Sequence, residues 1–392
     1  MKKKILFVLP GFTFGGTVFS TLNMISFLKK DYDITVLAMT HQGPVKEYYE
    51  RAGIKILPED VTLSAFIGVS SKETSFLRKA AFFIIKSICR VCKYLHIDFT
   101  LHVYQMKANR IQRIGGYDFV ASCQELESTY LASCFDSPKK LAWFRSEMSV
   151  LKTEITDKEF NKARANYTRF DNIVCVSQTT CDDFKNHIPE VANKLLAIHN
   201  IQNTNDIEIK AHQSIDDFPK SPFVMVSVGR MNPQKRFSAI PHIARQLKDQ
   251  GCKFQWIIIG DGNALGEYDK TMNSIESEGV SDCVKCIGSR LNPYPYIKQA
   301  KLLVNTSYVE ACPRVVAEAK ILKTPCVCAD FSSAREFVTS GFDGFVDTID
   351  GLVNPLSELI LNENTYKKIK SNCEAYLINN GEIYEKLKYV FS

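Results

Sequence analysis

The chain has 392 residues, of which 45% are hydrophobic and 23% charged, with a formal net charge of +6. That length exceeds what one hydrophobic core usually serves, so two domains are expected; the composition excludes fibrous, disordered and disulfide-stapled classes. The modest positive excess suits anionic small ligands or an anionic membrane surface and falls short of a nucleic-acid-binding tail, so no nucleic-acid partner is expected.

The opening Met1-Lys-Lys-Lys-Ile-Leu-Phe-Val-Leu looks like a secretory leader. Its apolar run ends at Pro10-Gly11 with no small-residue cleavage site, so it is read as a first β-strand. No uninterrupted apolar stretch reaches the roughly 20 residues that span a bilayer. The 13 cysteines are odd in number and scattered through apolar runs such as Ile173-Val-Cys-Val, which points to reduced, buried thiols and a cytoplasmic location. Cys89 with Cys92 and Cys283 with Cys286 have half the spacing of a zinc site without a second half nearby; core packing is expected, and no metal.

In chain order, a strand at 5–9, a glycine loop from Gly11 through Gly15 and Gly16, a helix at 17–28 and a strand at 34–38 form a β-loop-α-β unit, the opening of a doubly wound sheet. The glycine spacing departs from Gly-x-Gly-x-x-Gly and no acid follows the second strand, so a dinucleotide site is not expected. Residues 75–95 are strongly amphipathic. Lys79, Lys86, Arg90 and Lys93 fall on one face, and Ile84, Ile85, Ile88, Val91, Cys92 and Leu95 on the other. Such a helix packs its apolar face on the core or lays it on anionic lipid, and core packing is the expectation.

Strands are predicted at 117–122, 140–145 and 171–177, with Ser177 capping the helix that follows. Residues 202–221 are polar and read as a linker. The alternation then restarts: a strand at 223–228, a loop with Arg230 and Lys235, a helix at 238–250, a strand at 254–259, a short strand at 284–288 and a loop with Arg290.

The stretch Tyr308-Val-Glu-Ala-Cys-Pro-Arg-Val-Val-Ala-Glu-Ala319 sets Glu310 and Glu318 across a strand-to-helix junction. Residues 301–305 read as a buried strand, and 315–322 as a helix stopped by Thr324-Pro325. Pro313 sits where a first-turn proline is tolerated, and the amides of Arg314, Val315 and Val316 then point out of the positive end of the helix dipole, a ready phosphate site.

This pattern, with Pro313 three residues after Glu310, resembles the donor site of retaining glycosyltransferases of family four. The resemblance implies the GT-B fold: two facing Rossmann-like α/β domains, each doubly wound, with a cleft between them. It implies transfer of a hexose or N-acetylhexosamine from a nucleotide sugar, UDP-linked, to a hydroxyl with retention, in capsular, exo- or O-polysaccharide assembly. No cofactor or metal is implied.

By resemblance Glu310 touches the transferred sugar, Glu318 holds the ribose, and Cys312, Pro313, Arg314 and Val315 line the pyrophosphate. Gly15 and Gly16 let backbone approach the donor phosphate, and Arg230 and Lys235 are the two cations on the leaving diphosphate. Charge that grows on a departing diphosphate needs such neutralisation where no carboxylate-rich metal motif exists. Arg290 lies near the place of the nucleobase. Glu125 is on the acceptor side, and Arg145 stands where the family has a histidine; Ala311-Cys312 replaces the family's Gly-Phe. The domain reading is 1–201, a linker at 202–221, a nucleotide-sugar domain at 222–375 and a tail at 376–392 crossing back to the first domain. The acceptor is read as a saccharide, a lipid-linked one included, and the location as cytoplasmic, with contact to the inner face of the cell membrane left open. A nucleotide-sugar epimerase of the same fold and a non-catalytic sugar-binding relative stay open beside the transferase.

Overall fold

The computed structural model describes residues 2–68, 76–94 and 99–392. It divides into two compact units, one of residues Met1–Gln202 with Asn380–Ser392, the other of residues Asn203–Asn379.

The first unit holds a seven-stranded sheet built from β1 (Lys4–Leu9), β2 (Asp33–Ala38), β3 (Lys55–Ile56), β4 (Phe119–Ser122), β5 (Lys139–Phe144), β6 (Asn172–Cys175) and β7 (Leu195–Ala197). The order is β3-β2-β1-β4-β5-β6-β7, every pair parallel. Helices cover both faces of such a sheet, which is why its central strands are continuous apolar runs: Ile5 to Leu9 are all buried. The second unit repeats the design with β8 (Val224–Val228), β9 (Gln255–Ile259), β10 (Val284–Cys286), β11 (Leu302–Asn305), β12 (Cys326–Ala329) and β13 (Gly344–Asp347). Its order is β10-β9-β8-β11-β12-β13, again all parallel. Cys283 and Cys286 pack in the core of this unit.

The last helix, Asn380–Val390, belongs to the first unit. Leu387, Val390 and Phe391 join its core, and the Phe391 ring stacks on Trp143 with centroids 5.8 Å apart. Within the expected linker the structure has a helix, Thr204–Lys210, capped by the Asn203 side chain. Ile207 and Ala211 anchor it in the core of the second unit, two apolar residues that polar neighbours hid from a composition reading.

The amphipathic stretch forms the helix Phe76–Tyr94, and here the expectation of core packing is corrected. Among the described side chains of this helix, Phe82 is the buried one. The Lys86 ammonium lies 5.4 Å from its ring centroid and donates to the Gly68 carbonyl at 2.8 Å, which fixes the rotation of the helix. Ile84, Ile88 and Val91 consequently face outward and are exposed, while Ile85 is partly covered. Residues Ser75 and Leu95 and the side chains of Cys92 and Lys93 lie outside the described residues. Among the described residues no helix is long and apolar enough to cross a membrane.

Candidate functional site

Open parallel sheets bind ligands outside the carboxyl ends of the strands where the winding direction reverses. In the second unit that point lies between β8 and β11. The loops leaving these two strands are fastened to each other: Tyr308 N donates to the Gln234 carbonyl at 2.7 Å, Gln234 Nε2 to the Val309 carbonyl at 2.7 Å, and Thr306 Oγ1 to the Lys235 carbonyl at 2.7 Å. Asn232 Oδ1 accepts from the Lys235 amide at 3.2 Å and caps a short 3-10 turn, Pro233–Lys235. Arg236, which follows, has a left-handed backbone (φ 50°), with its guanidinium 4.9 Å from the Tyr308 ring centroid. Gly260 supports the base of this loop, since a Cβ there would sit 1.9 Å from the Gly229 carbonyl oxygen.

These fastenings place the Lys235 ammonium on the Glu310 carboxylate as an ion pair. Ser307 Oγ donates to the same carboxylate oxygen at 2.9 Å, and Ser333 Oγ holds the Glu310 main-chain carbonyl at 2.6 Å. Both paired side chains are mostly covered, at 19% and 12% exposure, so replacing one partner leaves a partly desolvated charge. Arg230 also lies on the β8 loop but is exposed. Among the described residues its guanidinium makes no hydrogen bond or ion pair.

The helix Arg314–Ile321 opens at this pair. Pro313 is its N-cap rather than its first helical residue, and the Val316 amide bonds back to the Pro313 carbonyl at 3.1 Å. That removes Val316 from the expected phosphate cradle and leaves Arg314 and Val315 as the first two residues of the helix, at the positive end of its dipole. Cys312 lies half-buried before them.

Glu318 is buried on this helix. Its Oε1 accepts from Arg314 at 2.9 Å and from the Tyr294 hydroxyl at 3.4 Å. Burial raises its carboxyl above the usual glutamate value, and Arg314 and Tyr294 oppose that shift. Sequence reasoning missed Tyr294; the signal was Asn292-Pro-Tyr294, in which Asn292 Oδ1 accepts from the Tyr294 amide at 3.2 Å. Arg290 is committed elsewhere, to Asp217 at 2.6 Å and to the Tyr296 hydroxyl at 3.0 Å.

In the first unit the reversal lies between β1 and β4. The glycine loop leaves β1, Glu125 follows β4 and Arg145 follows β5. Gly15 has an extended backbone, and a Cβ there would meet nothing within 4 Å, so the loop is open on that side. Gly16 begins the helix Gly16–Leu28, which has no side-chain cap. Glu125 accepts from the Arg145 amide, burial raises its carboxyl, and the next residue, Leu126, holds a positive φ of 60°. The Arg145 guanidinium is turned into its own unit. It donates to the Cys123 carbonyl at 2.9 Å, Ser20 Oγ at 2.9 Å, Asn200 Oδ1 at 2.7 Å and Thr21 Oγ1 at 3.4 Å.

The family comparison falls on the half of the chain that holds the Lys235–Glu310 pair. Residues 208–375 match the family described as glycosyl transferases group 1. The group 1 match therefore spans β8 to β13 and contains Arg230, Lys235, Glu310 and Glu318. An uncharacterized glycosyltransferase of Methanocaldococcus jannaschii is 21% identical over 168 residues, covering 42% of this chain and 41% of that protein. The amylovoran biosynthesis glycosyltransferase AmsD of Erwinia amylovora is 25% identical over 148 residues, 38% of this chain and 40% of its own length. The match thus spans about two fifths of these curated relatives. The solved structure of HepE from Anabaena in complex with UDP superimposes with a TM-score of 0.71 at 18% identity, covering 100% of this chain and 99% of that one. With two doubly wound parallel sheets in one chain, the fold is GT-B.

Proposed function

We propose that the chain is a retaining glycosyltransferase that moves a hexose or N-acetylhexosamine from a UDP-sugar to a hydroxyl of a saccharide acceptor in surface-polysaccharide assembly. The observation that carries this reading is the Lys235–Glu310 pair, set beside the amino end of Arg314–Ile321 at the reversal point of the group 1 half. A nucleoside diphosphate leaving an anomeric carbon gains negative charge. Lys235, the nearby cation Arg230 and the amides of Arg314 and Val315 are the groups suited to stabilise it without a metal. Glu310 is left facing the reacting sugar, and Glu318, with Arg314 and Tyr294 on it, is the buried acceptor for ribose hydroxyls. Relatives named for glycosyl transfer and for amylovoran biosynthesis, and a structural neighbour solved with UDP, support the donor and the polymer class.

The test is incubation with a panel of UDP-sugars and oligosaccharide acceptors, reading UDP release and the anomeric configuration of the product by NMR. Release of UDP with an axial-to-axial or equatorial-to-equatorial product is expected. An inverted product rules out the retaining assignment, and interconversion of UDP-sugars without transfer selects an epimerase.

A further inference from the structure

Among the described residues, the helix Phe76–Tyr94 presents an apolar face that its unit leaves exposed. Phe83 is 64% exposed, Ile84 61%, Ile88 50% and Val91 57%. At roughly 100° per residue these four side chains fall within an arc of about 140°, a continuous stripe rather than scattered exposure. The stripe cannot roll inward, because Phe82 is buried on the opposite side and Lys86 is tied to the Gly68 carbonyl. Lys79 and Arg90 are exposed along one border of the stripe.

Charge is concentrated in the same place. Residues 76–116 contain eight Lys and Arg and a single acid, Asp98, a net of +7 where the whole chain is +6. The rest of the molecule is therefore slightly acidic, and the entire positive excess is carried by this segment. Its second helix, Thr100–Gly115, adds exposed Arg110 and Arg113 and an Ile114 that is 80% exposed.

We propose that this face docks on an anionic lipid bilayer, with Phe83, Ile84, Ile88 and Val91 in the headgroup and upper acyl region and Lys79 and Arg90 on lipid phosphates. An exposed apolar stripe bordered by cations fits that interface on both counts, apolar burial and charge. A second copy of the chain fits only the first, since a symmetric contact through the stripe brings the same cations against each other. Docking is peripheral, through one helix face, and is independent of the transfer chemistry.

The experiment is co-sedimentation of the full chain with vesicles of phosphatidylcholine alone or mixed with phosphatidylglycerol, at low and high salt. Binding is expected only to the mixed vesicles, weakening at least tenfold at high salt, where surface charges are screened. The double variants I84S/I88S and K79E/R90E should each lose tenfold or more of that binding while circular dichroism and UDP affinity stay at wild-type values. All four positions are exposed, so folding does not depend on them. Equal sedimentation with both vesicle types, or wild-type binding by both variants, overturns the proposal. So does a concentration-dependent dimer that I84S/I88S abolishes in a protein that binds no vesicles.

Discussion

Lys235 and Glu310 are ion-paired across two loops that leave neighbouring parallel strands, so the candidate cation for a leaving diphosphate is held by the candidate carboxylate for the sugar. In the proposed reading, a diphosphate would compete with Glu310 for that ammonium. A change at either residue therefore also changes the environment of the other.

Replacing Glu310 by Gln keeps its shape and removes the competing charge. UDP binding, measured by calorimetry, is expected to tighten by on the order of tenfold, a small share of what one charge contributes at contact distance near a protein surface. Turnover is expected to fall at the same time. Unchanged UDP affinity shows that the pair does not restrain Lys235.

Lys235→Ala and Arg230→Ala should lower kcat more than they raise the KM for donor, because each acts on charge that develops as the bond breaks. The loss of one such stabiliser is expected to cost about a hundredfold to a thousandfold in rate. EDTA should leave wild-type turnover unchanged. Steady-state kinetics with and without EDTA checks both, and a strict need for a divalent ion contradicts the division of labour drawn here.

Glu318 gives a pH signature. Burial raises its carboxyl in the folded protein, so the folded chain keeps that proton to higher pH than the unfolded chain does. Its contribution to stability is present below the ordinary glutamate range and is lost as pH rises through the raised value. The melting temperature of wild type minus that of Glu318→Gln should therefore decrease with rising pH in that window. Glu318→Gln should also raise the KM for donor more than it lowers kcat.

Arg145 bonds four acceptors within the first unit. Arg145→Ala leaves them to be satisfied by water or not at all. A loss of about 1–3 kcal/mol in unfolding free energy is expected for a buried group left unpaired. Denaturant unfolding measures it, and UDP affinity should stay at the wild-type value.

Gly260→Ala forces a methyl onto the Gly229 carbonyl at the base of the loop that carries Lys235. Overpacking of this kind costs about 1–3 kcal/mol. Stability and UDP binding should fall together, whereas Gly15→Ala, where a Cβ meets nothing, should leave stability unchanged.

The amino-acid sequence by itself determined the alternation of apolar strands and amphipathic helices, the restart at residue 223 and the placing of Lys235, Glu310 and Glu318 at strand ends and on a helix. These are local properties: a strand buried on both faces must be apolar, and Ser177 caps its helix whatever surrounds it. Pairing across 75 residues, as between Lys235 and Glu310, was decided by the order of β8 and β11 in the sheet, which no local period encodes. Arg145 shows the same limit, since its position in the chain was legible but not its turn toward Ser20, Thr21 and Asn200. For Phe76–Tyr94 the pattern showed which side chains share a face. Only the packing of Phe82 and the bond from Lys86 to Gly68 decided that this face points outward, because helical period is set by backbone geometry and helix rotation by tertiary contacts.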